Sequence, residues 1–255
     1  MNSGSGVAAV ELDAQGPNYC IGGYGGEGTG GAVSIAQAYR FLSTGVTDVM
    51  IAGGSEACIT ECVVAGFNKL PDMQSNDVET MSRAFDKNSK GYLLGEAAGL
   101  LILETEEHAK ARGASIYCEL AGFAVSHGMD SEFVDGGMPT ADALAAAINN
   151  ALKDSGVAKT DVSYVSAHGS GVPAYDAVEA KVCMPERPRA FIKDSYYTQK
   201  RPTDIGMPQG IASAFGDHAK SLKVSAIKDQ LGNTLAAAGG LEAAVCAKML
   251  RDGEE

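Results

Sequence analysis

The amino-acid sequence predicts an α/β fold, and two observations lead to that prediction. Short, continuous apolar runs alternate along the chain with amphipathic stretches whose apolar residues recur at helical spacing. The chain also has 255 residues, of which 45% are hydrophobic, so it can bury the core of one large domain or of two small ones. We therefore expect strands and helices to alternate in the order that these patterns set.

The first part of the chain contains two predicted helices and three predicted strands. Residues 31–43 are expected to form a helix because their apolar residues share one face. The apolar runs 48–52 and 99–103 each indicate a buried strand. Glutamates then open a second helix, which runs through Arg112, and a further strand begins at 116–120.

The clearest helix of the second part spans residues 140–155. Thr140 can cap its N-terminus, and Gly156 can end it. Residues 184–217 hold four of the eight prolines, several charges and no periodicity, so we interpret them as an inserted surface loop. The remaining predicted elements are strands at 162–166 and 222–225 and a small-residue helix at 234–250.

The net charge of −12 argues against a nucleic-acid partner or an anionic membrane surface, because both need clustered Lys and Arg. No run of eighteen apolar residues is present, so we expect no membrane-spanning segment. The densest group of basic residues is Lys181, Arg187, Arg189, Lys193, Lys200 and Arg201. This group could form a local basic patch, and a solvated loop is an equally good interpretation.

The six cysteines show no CxxC pair and no framework spacing, and the sequence shows no signal peptide. We therefore expect reduced thiols, a cytoplasmic location and no metal centre. The cysteines are Cys20, Cys58, Cys62, Cys118, Cys183 and Cys246.

Three segments could carry chemistry, and each lies where a strand runs into a turn or helix, the edge at which α/β sheets bind ligands. The first, 20–31, is rich in glycine, but it lacks the Lys-Ser/Thr of a phosphate-binding loop, so no nucleotide cofactor is expected. The second contains His168, which could act as a hydrogen-bond donor or base, or could be structural. The third contains Lys228, which follows a predicted strand, and Asn233, which could cap a helix.

Five motifs occur in order along the chain: DVMIAGGSE from Asp48, SRAFDK from Ser82, GYLLGEAAG from Gly91, AHG at 167–169 with Pro173 and Asp176, and Lys228 with Gly232. Through these motifs the chain resembles the β-ketoacyl synthases of the thiolase superfamily, from Gly16 to about Asp252 and interrupted at 184–217. The resemblance implies a five-layered αβαβα thiolase-like fold, incomplete at both ends. Residues 1–115 would be the latter part of the N-terminal half, and 116–255 the first part of the C-terminal half.

The resemblance also assigns the site residues. In that family a cysteine at a helix N-terminus accepts the acyl chain, and two histidines assist decarboxylation and condensation. His168 corresponds to the first histidine, Lys228 to the lysine after the next strand, and Asn233 replaces the second histidine. The nucleophile position is Gly28 when counted back from the helix and Gly25 when counted forward from Gly16, so either register places glycine there.

A chain that keeps the other family motifs but lacks this cysteine is similar to the chain-length factors of type II polyketide synthases. Those subunits pair with an active ketosynthase. The resemblance implies a non-condensing subunit that forms a heterodimer with an active ketosynthase, or a homodimer, and cooperates with an acyl carrier protein. Two alternatives stay open. The chain could be an active β-ketoacyl synthase that uses an unorthodox nucleophile such as Cys20, or it could be a relic or interaction module.

Overall fold

The computed structural model describes residues 3–22, 28–69, 83–86, 88–128, 140–183 and 214–253. The chain divides into two units: unit 1 comprises Met1–Glu56, Ala97–Glu119 and Leu235–Glu255, and unit 2 comprises Ala57–Glu96 and Leu120–Thr234. The predicted division of the chain at residues 115/116 remains a prediction. The helices and strands are α1 (Ser3–Glu11), α2 (Thr29–Ser43), β1 (Val49–Glu56), α3 (Glu61–Phe67), β2 (Ala97–Glu104), α4 (Glu106–Ala111), α5 (Ala141–Ser155), β3 (Tyr164–Ser166), α6 (Pro173–Cys183), β4 (Lys223–Ser225), α7 (Lys228–Leu231) and α8 (Ala238–Asp252), with 3₁₀ turns at Lys159–Asp161, Gly216–Lys220 and Leu235–Ala237.

Unit 1 is built on an antiparallel pair of strands, β1 and β2, whose register joins Val49 to Glu104 and Glu56 to Ala97. Both strands occur where the apolar runs predict them. Helices α2 and α8 pack against one face of this pair. The core between them includes Ile35 and Ala38 of α2 and Ala52 of β1. The amphipathic pattern therefore identified α2 and its buried face correctly.

Glycine brings the backbones of unit 1 unusually close together. A Cβ atom added at Gly240 of α8 would lie 2.3 Å from the Gly99 carbonyl oxygen and 2.8 Å from the Gly54 nitrogen. One added at Gly31 of α2 would lie 2.5 Å from the Gly240 nitrogen. Real side chains do not reach such distances, so α2, α8 and the sheet can approach this closely only through glycine.

The prediction that β1 and β2 are buried strands is wrong for one of their two faces. Ile51 is 45% exposed, and on β2 Leu100 is 58% and Ile102 is 69% exposed. These residues alternate with the ones that face α2 and α8, because successive side chains of a strand point to opposite faces. Within the described residues, helices cover only the inner face of the pair.

The strand predicted at 116–120 is also absent from the structure, which shows irregular backbone there. Ile116 and Tyr117 are about half exposed, at 50% and 49%. A strand requires a hydrogen-bonded neighbour as well as a suitable sequence, and no described strand pairs with this segment.

Unit 2 contains the parallel pair β3 and β4, with Tyr164 opposite Lys223 and Ser166 opposite Ser225. Helix α5 begins and ends as predicted: the Thr140 hydroxyl accepts a hydrogen bond from the Ala143 N–H at 3.2 Å, and Gly156 adopts the left-handed conformation at the C-terminus. In unit 1 the predicted small-residue helix is present too, but it begins with the 3₁₀ turn Leu235–Ala237 and becomes α-helical at Ala238.

Most of the predicted inserted loop, 184–217, lies outside the described residues, as do Gly25 and five of the six basic residues of the predicted patch. The sixth, Lys181, lies on α6. Two residues near the end of the predicted loop are not at the surface: Ala214 and Phe215 are buried in the core of unit 2, packed beside α5, whereas Asp217 is exposed as expected of a surface loop. In the part of the chain that the structure describes, no helix is long and apolar enough to cross a membrane.

Candidate functional site

The strands β3 and β4 place two of the predicted site residues at one edge of the sheet. Because the strands are parallel and in register, both deliver the chain to the same side. His168 follows β3 after one residue, and Lys228 opens the short helix α7 three residues after β4. The Ala167 N–H donates to the Ser225 carbonyl at 2.8 Å, so the ladder continues up to His168.

Lys228 is buried, with 1% of its surface exposed, and its Nζ donates a hydrogen bond to the His168 carbonyl oxygen at 2.8 Å. A buried ammonium group needs hydrogen-bonding or charged partners, since leaving water is costly for an ion. The structure therefore brings His168 and Lys228 together, with the lysine bound to the backbone of the histidine.

Glu179 of α6 holds the loop that carries His168, and sequence reasoning missed it. One carboxylate oxygen accepts the His168 N–H at 2.7 Å, and the other accepts the Gly169 N–H at 2.8 Å. Burial raises the pKa of the Glu179 carboxyl, whereas these two hydrogen bonds and the charge of Lys228 oppose that rise. Its spacing of three residues from Asp176 was the available signal, because residues i and i+3 share one face of a helix.

Asp176 fixes the other end of the same loop. Its carboxylate accepts hydrogen bonds from the Gly171 N–H and the Ser170 hydroxyl, both at 3.2 Å, and from the Phe85 N–H at 2.7 Å. Burial raises the pKa of Asp176 to about 6. The loop thus receives a carboxylate at each end, from Glu179 and from Asp176.

The electrostatic surroundings of His168 determine what its imidazole can do. Burial, with a smaller contribution from the positive charge of Lys228, lowers the pKa of His168 to about 3. Such an imidazole is neutral at pH 7 and is a weak base. It is therefore better suited to donate a hydrogen bond to a carbonyl oxygen than to remove a proton.

Asn233 is fully buried, and its backbone pairs with the segment 93–95. Its N–H donates to the Leu93 carbonyl at 2.7 Å, and its carbonyl accepts the Gly95 N–H at 2.8 Å. The expectation that Asn233 caps a helix is wrong, because α8 begins at Ala238 with Ala237 as its N-cap. The backbone of Asn233 forms a bridge with Leu94 instead.

Gly28 belongs to unit 1, whereas His168, Lys228 and Asn233 belong to unit 2. It is the N-cap residue of α2, with φ 82° and ψ −1°, in the left-handed region that favours glycine. A side chain at this position would stand at the positive end of the helix dipole, where a thiolate would be stabilised. Among the described residues, no group of three or more His, Cys, Asp or Glu side chains could hold a metal ion.

The lowered pKa of His168 leads to a testable pH dependence. The pKa falls from 6.5 to about 3 on folding, so His168 contributes stability that is present above pH 6.5 and is lost as the pH falls through this range. The pKa of Asp176 rises from 3.8 to about 6, so its contribution has the opposite sign and is lost as the pH rises. In the wild-type protein the two effects oppose each other between about pH 4 and 6.

Replacing His168 with Gln removes only the first effect. The unfolding free energy of H168Q relative to wild type is therefore expected to increase by about 1.4 kcal/mol for each pH unit below 6.5. Urea unfolding of both proteins at several pH values between about 4.5 and 7.5 measures this difference. A difference that is constant over that range would contradict the burial of a neutral His168.

Comparison with known proteins adds family matches to this geometry. The family model for the β-ketoacyl synthase N-terminal domain matches residues 1–109, and the model for the C-terminal domain matches residues 117–185 and 208–254. The first match begins at residue 1 and so includes α1, which lies before the predicted start of the resemblance at Gly16.

Individual relatives give the same result. The chain is 33% identical over 249 residues to 3-oxoacyl-(acyl-carrier-protein) synthase 2 of Staphylococcus aureus, which covers 97% of this chain and 54% of the relative. The chain thus spans about half the length of the curated relatives it matches. Two solved structures are also similar. One is a type II polyketide synthase acyl carrier protein in complex with its ketosynthase bound to the hexaketide, with TM-score 0.76, 26% identity and coverage of 97% of this chain and 53% of that one. The other is the ishigamide ketosynthase/chain length factor, with TM-score 0.68, 29% identity and coverage of 88% and 46%.

Proposed function

The chain belongs to the β-ketoacyl synthase family, and from that premise we propose that it is a non-condensing subunit similar to a chain-length factor. The thiolase-like α/β fold expected from the sequence is confirmed by the similarity to ketosynthase structures. The proposed role is to assist chain elongation of polyketide or fatty-acyl units carried by an acyl carrier protein. An active ketosynthase would carry out the condensation itself.

One observation carries this proposal: a glycine occupies the position that the family resemblance assigns to the nucleophilic cysteine. Gly28 stands at the N-terminus of α2, where a thiolate would be stabilised, and it has no side chain. The alternative register at Gly25 leads to the same conclusion. Without a thiol the chain cannot form the acyl-enzyme thioester on which condensation depends.

The remaining site residues favour the interpretation that the structure of the site is kept while its condensing activity is lost. His168 and Lys228 are present and hydrogen-bonded to each other. Asn233 stands where the resemblance expects a second histidine, and an amide can donate a hydrogen bond but cannot exchange a proton at neutral pH. We propose that these residues preserve the shape of the site and take no part in proton transfer.

The proposed partners follow from the same relatives. One solved relative is a ketosynthase in complex with an acyl carrier protein, and another is a ketosynthase with a chain length factor. We infer that this chain pairs with a cysteine-bearing ketosynthase, or with itself, and that the complex meets an acyl carrier protein. We place it in the cytoplasm, because its six cysteines show no CxxC pair and no framework spacing and are expected to remain reduced.

Acylation measured by intact mass tests the proposal. The chain is co-expressed with a cysteine-bearing ketosynthase, purified and incubated with an acyl-carrier-protein thioester. We expect co-purification, and an acyl mass increase on the ketosynthase and none on this chain. An adduct on this chain would contradict the proposal and favour an unorthodox nucleophile, and its loss in Cys20→Ser would identify Cys20. Absence of any complex would favour the relic or interaction module.

A matched variant tests whether the missing thiol is the cause. In Gly28→Cys the new cysteine must adopt the left-handed backbone conformation of position 28, at a cost of roughly 1–2 kcal/mol. We expect this variant to gain an acyl adduct on the same incubation, because the helix N-terminus lowers the pKa of a thiol. A folded Gly28→Cys variant without any adduct would show that more than the thiol has been lost.

A further inference from the structure

One segment of unit 2, residues 89–95, contacts both loops that carry predicted site residues. We call this segment the strap, residues 167–172 the His168 loop, and residues 232–234 the Asn233 turn. The strap is largely buried: Ser89 is 5%, Tyr92 is 0% and Leu94 is 9% exposed. The Tyr92 ring also makes an edge contact with Phe67 of α3, with 6.3 Å between ring centroids.

The first end of the strap binds the His168 loop through a single carbonyl group. The Ser89 hydroxyl donates to the Gly171 carbonyl at 2.5 Å, and the Gly91 N–H donates to the same oxygen at 3.1 Å. The N–H of Gly171 is bound on its other side by Asp176. Both backbone groups of Gly171 are therefore held, and its φ of 80° lies in the left-handed region that favours glycine.

The second end of the strap binds the Asn233 turn. Leu93 and Gly95 form the two backbone hydrogen bonds with Asn233, at 2.7 and 2.8 Å. Gly232 packs directly on the strap, since a Cβ atom added there would lie 3.1 Å from both the Gly95 Cα and the Leu93 carbonyl oxygen. Only Tyr92 lies between Gly91, which makes the first contact, and Leu93, which makes the second.

We propose that residues 89–95 act as a positioning strap that holds the His168 loop and the Asn233 turn at a fixed separation, and that Ser89 is the residue that fastens it to the His168 loop. Ser89 and Gly91 restrain the end of the loop, while Glu179 restrains its beginning. The strap touches no reacting atom, so Ser89 is a positioning residue. This inference concerns how the site is held and is independent of whether the chain condenses acyl units.

Ser89→Ala removes the hydrogen bond from the Ser89 hydroxyl to the Gly171 carbonyl and keeps the backbone hydrogen bond from Gly91. In this variant the His168 loop loosens and water reaches the imidazole, so the pKa of His168, followed by NMR, is expected to rise from about 3 toward 6.5. Because the strap links the two loops, the amide signals of Gly95 and Asn233 are expected to shift as well.

Ser126→Ala is the matched control. The Ser126 hydroxyl also donates to a backbone carbonyl in unit 2, at 2.6 Å, but its acceptor, Ala143 of α5, belongs to neither the strap, the His168 loop nor the Asn233 turn. We expect a similar decrease in melting temperature in both variants, with the His168 pKa and the Asn233 signal altered in Ser89→Ala alone. Equal His168 pKa values in Ser89→Ala, Ser126→Ala and wild type would overturn the proposal.

Hydrogen exchange on the unaltered protein provides a second measurement that requires no variant. The strap contact predicts that the Gly91 amide, which donates to the Gly171 carbonyl oxygen, exchanges on the order of 100-fold more slowly than an unprotected amide. The Ala167 amide, which belongs to the β3–β4 ladder, is the internal reference. Exchange of the Gly91 amide at the rate of a free amide would also overturn the proposal.

Discussion

Replacing Lys228 with Met is expected to lower the unfolding free energy by about 3 kcal/mol, the cost typical of removing one partner from a buried charge arrangement. Methionine retains most of the apolar stem, so the loss comes from the charge and not from a cavity. The His168 carbonyl would lose its hydrogen bond from Nζ, and Glu179 would lose the positive charge that opposes the rise of its pKa. Chemical denaturation of the variant and wild type measures the change.

A double-mutant cycle separates the charge effect from general damage. In the K228M background, Glu179→Gln is expected to recover about 1–2 kcal/mol, because the buried negative charge that lacks the nearby positive charge of Lys228 is then absent. Lys153→Met is the control on the exposed side of α5, with an expected change within about 0.5 kcal/mol. If K228M were as mild as K153M, Lys228 would not be a buried structural charge.

The second large effect is expected at Gly240 of α8. Gly→Ala in a helix ordinarily stabilises it by about 1 kcal/mol. At Gly240 the added methyl group would lie 2.3 Å from the Gly99 carbonyl oxygen and 2.8 Å from the Gly54 nitrogen, both backbone atoms that cannot rotate away. We therefore expect Gly240→Ala to destabilise unit 1 by about 3 kcal/mol or more.

Gly6→Ala is the opposite-sign control for that prediction. Gly6 lies on α1 of the same unit, and no atom would lie within 4 Å of an added Cβ. This variant is expected to be neutral or up to about 1 kcal/mol more stable than wild type. Thermal melts of both variants give the comparison, and a stabilised Gly240→Ala protein would show that α8 does not pack on the sheet as closely as described.

Local patterns in the sequence were sufficient for the elements whose formation depends on nearby residues. Helix α2, the strands β1 and β2, and helix α5 with its Thr140 cap all follow from periodicity and from residues a few positions away. The strand predicted at 116–120 failed because pairing requires a distant partner that the segment's own sequence does not specify. The same reason explains why β1 and β2 are covered on one face only.

The sequence alone also placed His168 and Lys228 at strand ends, and the resemblance to a family marked Gly28 and Asn233. Only the tertiary structure decided how this site is held. Glu179, Asp176 and Ser89 reach the His168 loop from positions 5 to 82 residues away along the chain, through hydrogen bonds to backbone groups. Backbone donors and acceptors are the same for nearly every residue, so no residue type in the His168 loop reveals which side chain will bind it. Residue identities therefore suffice to predict where the site lies. The hydrogen bonds that hold the His168 loop cannot be predicted in this way, because they join chain segments that meet only on folding.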